Sequence, residues 1–192
     1  MTGETITISA ADGETEAYVA RPDSSGTSPG VLFFTDVIGL RPRIEAMADR
    51  IASWGYVVLV PHLFHRYGSA AEWAPTEDLL LPEARTAFFR SAMPRARTLT
   101  PDAVRPDLVA YLDALQSLQG VTPGHVGVTG YCMGGRLALN IAAARPDVLV
   151  MDLRMPRLDG VTATRAVCAL PDAPPVLVLT TFDGDPDVLL AL

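Results

Sequence analysis

Short, almost entirely apolar segments alternate with helical segments along this chain. Residues 30–35 and 56–60 are strand-sized and nearly free of charge, as expected of strands that are buried on both faces. Between them, residues 43–54 carry apolar side chains at helical spacing, and Gly55 follows as a stop signal. This alternation predicts an α/β fold with a doubly wound, mainly parallel sheet.

The remaining segments fit the same plan. Alternating residues at 5–9 and 16–20, on either side of Asp12-Gly13, predict an N-terminal hairpin. Residues 62–82 are rich in aromatic residues and are predicted to form a loop. The other predicted elements are helices at 83–92, 102–118, 134–144, 160–169 and from about Pro186, and strands at 126–129, 148–152 and 176–180.

Composition excludes several classes of protein. The hydrophobic fraction of 49% and charged fraction of 19% are incompatible with a disordered chain. The formal net charge of −7 argues against a nucleic-acid partner. No apolar run approaches the ~20 residues of a membrane span, so no membrane partner is expected. All 15 basic residues are Arg, so there is no Lys for a Schiff base or a phosphate loop.

The N-terminal residues show no signal peptide, and two cysteines make no disulfide framework. We therefore expect a cytoplasmic protein. Cys168 lies between Val167 and Ala169 on a predicted helix, and we expect it in the core.

The segment G-V-T-G-Y-C-M-G-G, residues 127–135, predicts a nucleophile elbow. Gly130 and Gly134 stand two residues before and after Cys132, where small residues allow a tight strand–turn–helix connection. Cys132 would then project from the carboxyl edge of the sheet at a helix N-terminus, which favours a thiolate. The N–H of Met133 would be placed to donate to an oxyanion. The alternative is a small buried cysteine in a glycine-rich turn.

Residues 1–146 resemble the dienelactone hydrolase family of α/β-hydrolases in three segments: G-Y-C-M-G-G, P-G-V-L-F-F-T-D-V-I-G-L and A-D-R-I-A-S-W-G-Y-V-V-L-V-P-H-L-F-H-R. The resemblance implies a hydrolase that acts by acyl transfer on a small ester or lactone and needs no cofactor. It implies that Cys132 is the nucleophile and that the N–H groups of Met133 and Val37 form the oxyanion hole. Asp36 stands where the family has an acidic residue, typically Glu, that contacts the resting cysteine. The alternative role for Asp36 is that of a turn residue at the end of a strand.

The histidines do not fit the order of the family's triad, which is nucleophile, acid, His. The chain contains His62, His65 and His125, and all three precede Cys132. His62 follows a strand and could approach Cys132, but an ordinary loop histidine is the favoured interpretation. His125, before the elbow strand, is expected at the opposite end of the sheet. Without a general base, turnover through an acyl-enzyme should be poor, so we expect an impaired hydrolase.

Residues 147–192 resemble the middle of a response-regulator receiver domain. A buried strand ends at Asp152, M-P and D-G follow at the spacing of a phosphoacceptor loop, and the next strand ends at Thr180. The resemblance implies that Asp152 accepts phosphate, that Thr180 is the switch hydroxyl, and that Mg²⁺ is a cofactor in this reading alone. The acidic pair that would hold Mg²⁺ and the receiver's Lys have no counterpart here. A turn-capping role for Asp152 is therefore favoured.

The two resemblances meet near residue 146, which predicts two regions, 1–146 and 147–192, joined at residues 144–148. Both parent folds are parallel α/β sheets, so the second region is expected to pack on the sheet of the first. Asp183 or Asp185 would then follow a strand about where a hydrolase carries its triad acid.

Three functional hypotheses follow. The chain is a dienelactone-type hydrolase acting on a small ester or lactone, a phosphoacceptor fragment of a two-component response regulator, or a chimeric or truncated product with neither activity. The pattern does not predict an oligomeric state.

Overall fold

The computed structural model describes residues 3–144 except 24 and 125, together with 149–152, 169 and 176–179. The strands are β1 (Glu4–Ala10), β2 (Gly13–Ala20), β3 (Gly30–Phe34), β4 (Val57–Pro61), β5 (Gly127–Gly130), β6 (Leu149–Asp152) and β7 (Val176–Leu179). The α-helices are α1 (Pro42–Ala52), α2 (Ala70–Trp73), α3 (Pro82–Ala96), α4 (Pro101–Ser117) and α5 (Met133–Ala144). A single 3₁₀ turn spans His65–Tyr67.

Strands β1 to β5 form one mixed sheet in the order β1-β2-β4-β3-β5. The N-terminal hairpin turns through Ala11 and Asp12, and it joins the sheet by antiparallel pairing of β2 with β4. Strands β4, β3 and β5 run parallel. The predicted α/β fold is confirmed, with an antiparallel hairpin added to a parallel centre.

Helices cover both faces of this sheet. Val31 and Phe33 of β3 belong to a core packed against α1, whereas Leu32 and Phe34 belong to a core that includes α4 and α5. Alternate residues of one strand thus enter opposite cores. This is why the strand sequences read as continuous apolar runs rather than as alternating patterns.

The prediction of a loop throughout residues 62–82 is wrong in two places, the 3₁₀ turn and α2. A capping box fixes the start of α2. The Ser69 hydroxyl accepts from the Glu72 N–H at 3.3 Å, and the Glu72 carboxylate accepts from the Ser69 N–H at 2.8 Å. These reciprocal bonds satisfy two donors that a helix start would leave free.

The predicted strands of the tail are present as β6 and β7, which pair in parallel with Asp152 opposite Leu179. β6 approaches β5 with Cα atoms within 8 Å. Packing of the tail on the main sheet stays a prediction. The junction at 145–148 and the predicted helices at 160–169 and from Pro186 lie outside the described residues, apart from residue 169. None of the described helices has the length and apolar character needed to cross a membrane.

Candidate active site

Cys132 lies in the turn between β5 and α5, and its side chain is exposed. Its φ angle is 55°, and no other described residue except glycine has a positive φ. The left-handed conformation costs a residue with a Cβ roughly 1–2 kcal/mol. Such strain persists only where the surrounding structure imposes it, and it is concentrated at functional sites. The geometry therefore matches the predicted elbow and not a relaxed buried cysteine.

Two glycines impose this turn by close backbone contact. A Cβ atom at Gly130 would lie 2.9 Å from the Gly135 nitrogen and even closer to the Gly134 carbonyl. A Cβ atom at Gly134 would lie 2.5 Å from the Thr35 carbonyl oxygen and even closer to that of Phe34. Side chains essentially never approach backbone this closely, so only glycine fits at either position. The roles predicted for the two glycines are confirmed.

The elbow packs against the end of β3. Phe34 is the register partner of Gly130, and the Tyr131 N–H donates to the Phe34 carbonyl at 3.3 Å. The loop that carries Val37 starts from this point. Within the described residues, the N–H groups of Val37 and Met133 donate to no protein acceptor. The loop that carries Val37 thus leaves β3 next to the elbow turn, and the oxyanion roles of Val37 and Met133 stay predictions.

Asp36 binds its own loop. Its two carboxylate oxygens each accept from Arg41 at 2.8 Å, and Oδ1 also accepts from the Ile38 N–H at 2.9 Å. Its backbone carbonyl accepts from the Gly39 N–H at 3.1 Å. Among the described residues, no hydrogen bond joins Asp36 to Cys132. This geometry favours the turn role for Asp36, and its role as the cysteine's partner stays a prediction.

Trp73 contacts the same loop and was missed by the sequence analysis. It is buried, and its indole N–H donates to the Val37 carbonyl oxygen at 3.2 Å. Its ring stacks on Phe64 with centroids 3.8 Å apart and planes at 7°. A Cβ atom at Gly39, where φ is 87°, would lie 2.8 Å from Trp73 Cδ1. The capping box just before Trp73 was the available sequence signal.

His62 is buried in the loop after β4. Its Nε2 is 3.1 Å from the Gly68 carbonyl oxygen, and its Nδ1 has no partner among the described residues. Burial lowers the pKa of His62, because the charged ring would lose its hydration. β3 separates β4 from β5, so His62 starts about two strand spacings, ~10 Å, from the elbow strand. The described contacts of His62 lie away from Cys132.

A second polar group, which we call the ionic cluster, consists of Asp12, His65, Arg66 and Asp107. Arg66 Nη1 donates to Asp107 Oδ2 at 2.6 Å, and Arg66 Nε donates to Asp12 Oδ2 at 2.9 Å. His65 Nε2 lies 3.3 Å from Asp12 Oδ1. Asp107 is buried and also accepts from the Ala11 N–H at 3.1 Å. The cluster joins the hairpin turn to α4 and was not found by the sequence analysis.

The charges of the ionic cluster are mutually satisfied. The hydrogen bond from His65 and the guanidinium of Arg66 hold the pKa of Asp12 below its usual value, while Asp107 raises the pKa of Arg66. Ligand atoms of Asp12, His65 and Asp107 lie within 4.8 Å of one another, a spacing that a metal ion could bridge. Arg66 already places a cation between the two carboxylates, so this cluster does not require a metal.

A cavity of about 230 Å³ lies between α2 and α3, and Cys132 is not among its described lining residues. Its walls include Trp73, Phe88 and Arg95. The elbow is the stronger candidate site, because an exposed cysteine on a strained backbone lies there at the start of a helix.

Other residues singled out from the sequence have no described side chain. His125, Cys168, Thr180, Asp183 and Asp185 lie outside the described residues. Asp152 ends β6, but only its backbone is described. The roles expected for these residues stay predictions.

Comparison with known proteins places this geometry in a family. The model of the dienelactone hydrolase family matches residues 15–150. Carboxymethylenebutenolidase of Pseudomonas sp. strain P51 is 30% identical over 146 residues, 74% of this chain and 56% of that protein. Carboxymethylenebutenolidase of Rhodococcus opacus is 28% identical over 130 residues, 68% of this chain and 44% of that protein. The chain spans about half the length of the curated relatives it matches.

Solved structures show the same fold. A dienelactone hydrolase-like promiscuous phosphotriesterase from metagenomic libraries aligns with a TM-score of 0.58 at 22% identity, covering 97% of this chain and 70% of that one. A serine α/β-hydrolase without a lid from Xanthomonas campestris aligns with a TM-score of 0.53 at 14% identity, covering 94% of this chain and 85% of that one. The fold is therefore that of the α/β-hydrolases.

A second family model, the response regulator receiver domain, matches residues 112–192. This match begins in α4, well before residue 147, and shares residues 112–150 with the hydrolase match. Both families alternate strands and helices in parallel order, so α4, β5 and α5 suit either pattern. The division into regions at residue 146 stays a prediction.

Proposed function

The chain belongs to the dienelactone hydrolase family, and on that premise we propose that it cleaves a small carboxylic ester or lactone by acyl transfer to Cys132. The observation that carries this proposal is the left-handed backbone of an exposed Cys132 between two glycines that no other residue could replace. The matched relatives are named carboxymethylenebutenolidase. We extend the butenolide lactone in that name to this chain as the preferred substrate class.

The reaction begins with attack of the Cys132 thiolate sulfur on the ester carbonyl carbon. The carbonyl π pair moves to oxygen, and the N–H groups of Val37 and Met133 donate to the resulting oxyanion. Collapse of this intermediate breaks the ester C–O bond and expels an alkoxide, which takes a proton from water. The product on the enzyme is a thioester at Cys132. Attack by water then releases the carboxylic acid and restores the thiol.

We further propose that the second half of this reaction is slow. Deacylation needs a base that removes a proton from the attacking water. No His follows Cys132 in the 192 residues, and His62 is buried against Gly68. The thioester should therefore accumulate.

The test is a burst experiment with p-nitrophenyl acetate. We expect release of about one equivalent of nitrophenolate per chain, followed by slow turnover. Cys132→Ala should abolish the burst, whereas the matched variant Cys168→Ala should retain it. Iodoacetamide labelling with peptide mapping should modify Cys132 faster than Cys168. Equal labelling rates or a burst that persists in Cys132→Ala would overturn the assignment of the nucleophile.

Sustained turnover that requires Cys132 would support the nucleophile and contradict the slow second step. His62→Ala then decides whether His62 is the base, since loss of turnover in that variant would identify it.

A second candidate function is phosphoacceptance at Asp152, favoured by the receiver match and by the position of Asp152 at the end of β6. Thr180 would bind the new phosphoryl oxygen and Mg²⁺ would neutralise the phosphate. The residues do not fit this chemistry, because the chain has no Lys and no acidic pair in the receiver's position. We propose that acetyl phosphate with Mg²⁺ leaves the chain unmodified. A mass gain of one phosphoryl group that disappears in Asp152→Asn would establish the receiver function.

A chain that gives neither a burst nor phosphorylation would match the hypothesis of a chimeric product without either activity.

A further inference from the structure

The peptide group between Val37 and Ile38 is held at both of its polar atoms. Its N–H, which belongs to Ile38, donates to Asp36 Oδ1 at 2.9 Å. Its carbonyl oxygen, which belongs to Val37, accepts from the Trp73 indole at 3.2 Å in a buried contact. Arg41 in turn holds the Asp36 carboxylate by two bonds of 2.8 Å. This peptide plane therefore has little freedom to rotate.

The indole that makes the second contact is itself immobilised. Trp73 is 6% exposed and stacks face to face on Phe64. The Arg95 guanidinium lies 5.7 Å from the centre of its ring on the cavity side. Gly39 packs so closely that a Cβ there would overlap the indole edge. A donor on a rigid ring loses little entropy on bonding, so it can define the orientation of its acceptor.

The N–H of Val37 is separated from the held plane only by the two backbone dihedrals of Val37. We propose that Trp73 is a positioning residue, whose indole N–H fixes the peptide after Val37 and thereby aims the Val37 N–H at the oxyanion formed beside Cys132. This inference rests on the acyl transfer proposed above. Trp73 does not touch the reacting atoms; it acts through Val37.

Loss of the indole donor has a specific consequence. The Val37 carbonyl would be left buried without a partner, and the peptide would rotate toward another donor. Misdirection of one oxyanion donor slows attack on a carbonyl. Alkylation by iodoacetamide forms no oxyanion, because the sulfur displaces iodide from a saturated carbon. Acylation and alkylation of the same thiol therefore separate an oxyanion effect from a general disturbance of Cys132.

The experiment measures both rate constants in a Cys168→Ala background, with p-nitrophenyl acetate as acylating reagent. In Trp73→Phe, which keeps an aromatic ring but removes the donor, acylation should fall roughly tenfold, the value of one hydrogen bond. Alkylation should stay within about twofold, since the thiol environment is retained. Trp54→Phe is the matched control, because Trp54 is 63% exposed; neither rate should change.

Trp73→His supplies the rescue. When the five-membered rings are superposed, histidine Nε2 takes the position of the indole nitrogen, so a donor is kept while the six-membered ring is lost. An acylation rate constant that lies closer to the wild-type value in Trp73→His than in Trp73→Phe would support positioning by the N–H donor. If Trp73→Phe fails to melt cooperatively, the test rests on Trp73→His alone. The quantity compared is then the acylation rate constant divided by the alkylation rate constant. A tenfold lower value than in the wild type would overturn the proposal, and a value near that of the wild type would support it.

Unchanged acylation in Trp73→Phe, or an equal loss of acylation and alkylation, would also overturn the inference. A wild-type chain that is alkylated at Cys132 but shows no burst would overturn the proposed function itself, and this inference with it.

Discussion

The elbow and the ionic cluster both lie toward the edge of the sheet where the parallel strands end, yet their polar groups are used in opposite ways. In the ionic cluster, buried Asp107 accepts from Arg66 and from the Ala11 amide, and Arg66 also reaches Asp12. At the elbow, Cys132 is exposed on a strained backbone, and the N–H groups of Met133 and Val37, the predicted oxyanion donors, have no described protein acceptor. One region holds charges that are paired, and the other holds donors that are unused.

This difference shows which features point to chemistry. The ionic cluster has more titratable groups than the elbow, but each described charge is paired, so its main effect is to join the hairpin turn to α4. The elbow has two titratable groups, Tyr131 and Cys132, but its backbone strain has no structural benefit of its own. Backbone strain and unused donors, rather than a high density of charge, are therefore the features on which the proposed site rests.

The largest loss of stability should come from Gly134→Ala, which crowds the elbow. The added Cβ would meet the carbonyl oxygens of Phe34, which ends β3, and of Thr35, which follows it. These backbone atoms cannot move aside cheaply. We expect a loss of about 3 kcal/mol or more in the free energy of unfolding, together with loss of the acylation burst.

Gly135→Ala is the matched control, because its Cβ would lie 3.3 Å from the Gly130 oxygen and would sit at the start of a helix that favours alanine. It should change stability by less than about 1 kcal/mol. Urea denaturation of both variants makes the comparison, and equal losses would contradict the steric account of the elbow.

Substitutions in the ionic cluster should lower the stability of the fold without changing the reactivity of Cys132. Asp107→Asn removes the charge from a buried carboxylate and leaves Arg66 without its main partner. Breaking a buried pair costs about 3–5 kcal/mol, and the partial exposure of Arg66 reduces this to about 2 kcal/mol. Asp12→Asn removes the exposed carboxylate from the same guanidinium and should cost less.

The alkylation rate of Cys132 should be unchanged in both aspartate variants. A changed rate would mean that the two regions are coupled and that their contrast does not hold.

Relief of the backbone strain at Cys132 should increase stability, by less than the losses expected for the substitutions above. Cys132→Gly can adopt a φ of 55° without the Cβ penalty, whereas Cys132→Ala retains it. We expect Cys132→Gly to be more stable than Cys132→Ala by about 1 kcal/mol, although both lack the proposed nucleophile. Thermal melting of the two variants measures this difference. An alanine variant at least as stable as the glycine variant would show that no strain is stored at Cys132.

The smallest effect is a pH dependence from His62, the buried histidine between the two regions. Because burial lowers its pKa in the folded state, the unfolded chain binds the proton more readily. The contribution of His62 to stability is therefore fully present above the pKa of His62 in the unfolded chain, near 6.5. It is lost as the pH drops toward the lower pKa of His62 in the folded protein. In His62→Asn this component should vanish, so Tm measured from pH 7.5 to 5 should decline less than in the wild type. A steeper decline in the variant would contradict the burial effect.

Local sterics explain why the elbow could be predicted. Gly130 and Gly134 stand at fixed offsets from Cys132, and the contacts they permit involve a turn of five residues against one neighbouring strand. The central strands could also be predicted, because burial on both faces imposes a continuous apolar run on the sequence. The short helix α2 was missed, because a four-residue helix has no periodicity to detect and depends on its capping box.

By itself, the sequence determined the α/β fold, the position of the elbow and the exposure of Cys132 within it, since each depends on spacing within a few residues. The tertiary structure alone decided which groups meet across long separations. Trp73 reaches the Val37 carbonyl from 36 positions away, and Asp107 reaches the Ala11 amide from 96 positions away. Trp54 has helical spacing but is exposed, because α1 ends at Ala52. Such contacts depend on how loops return to the sheet, and many returns are compatible with the same local pattern, so only the assembled fold selects one.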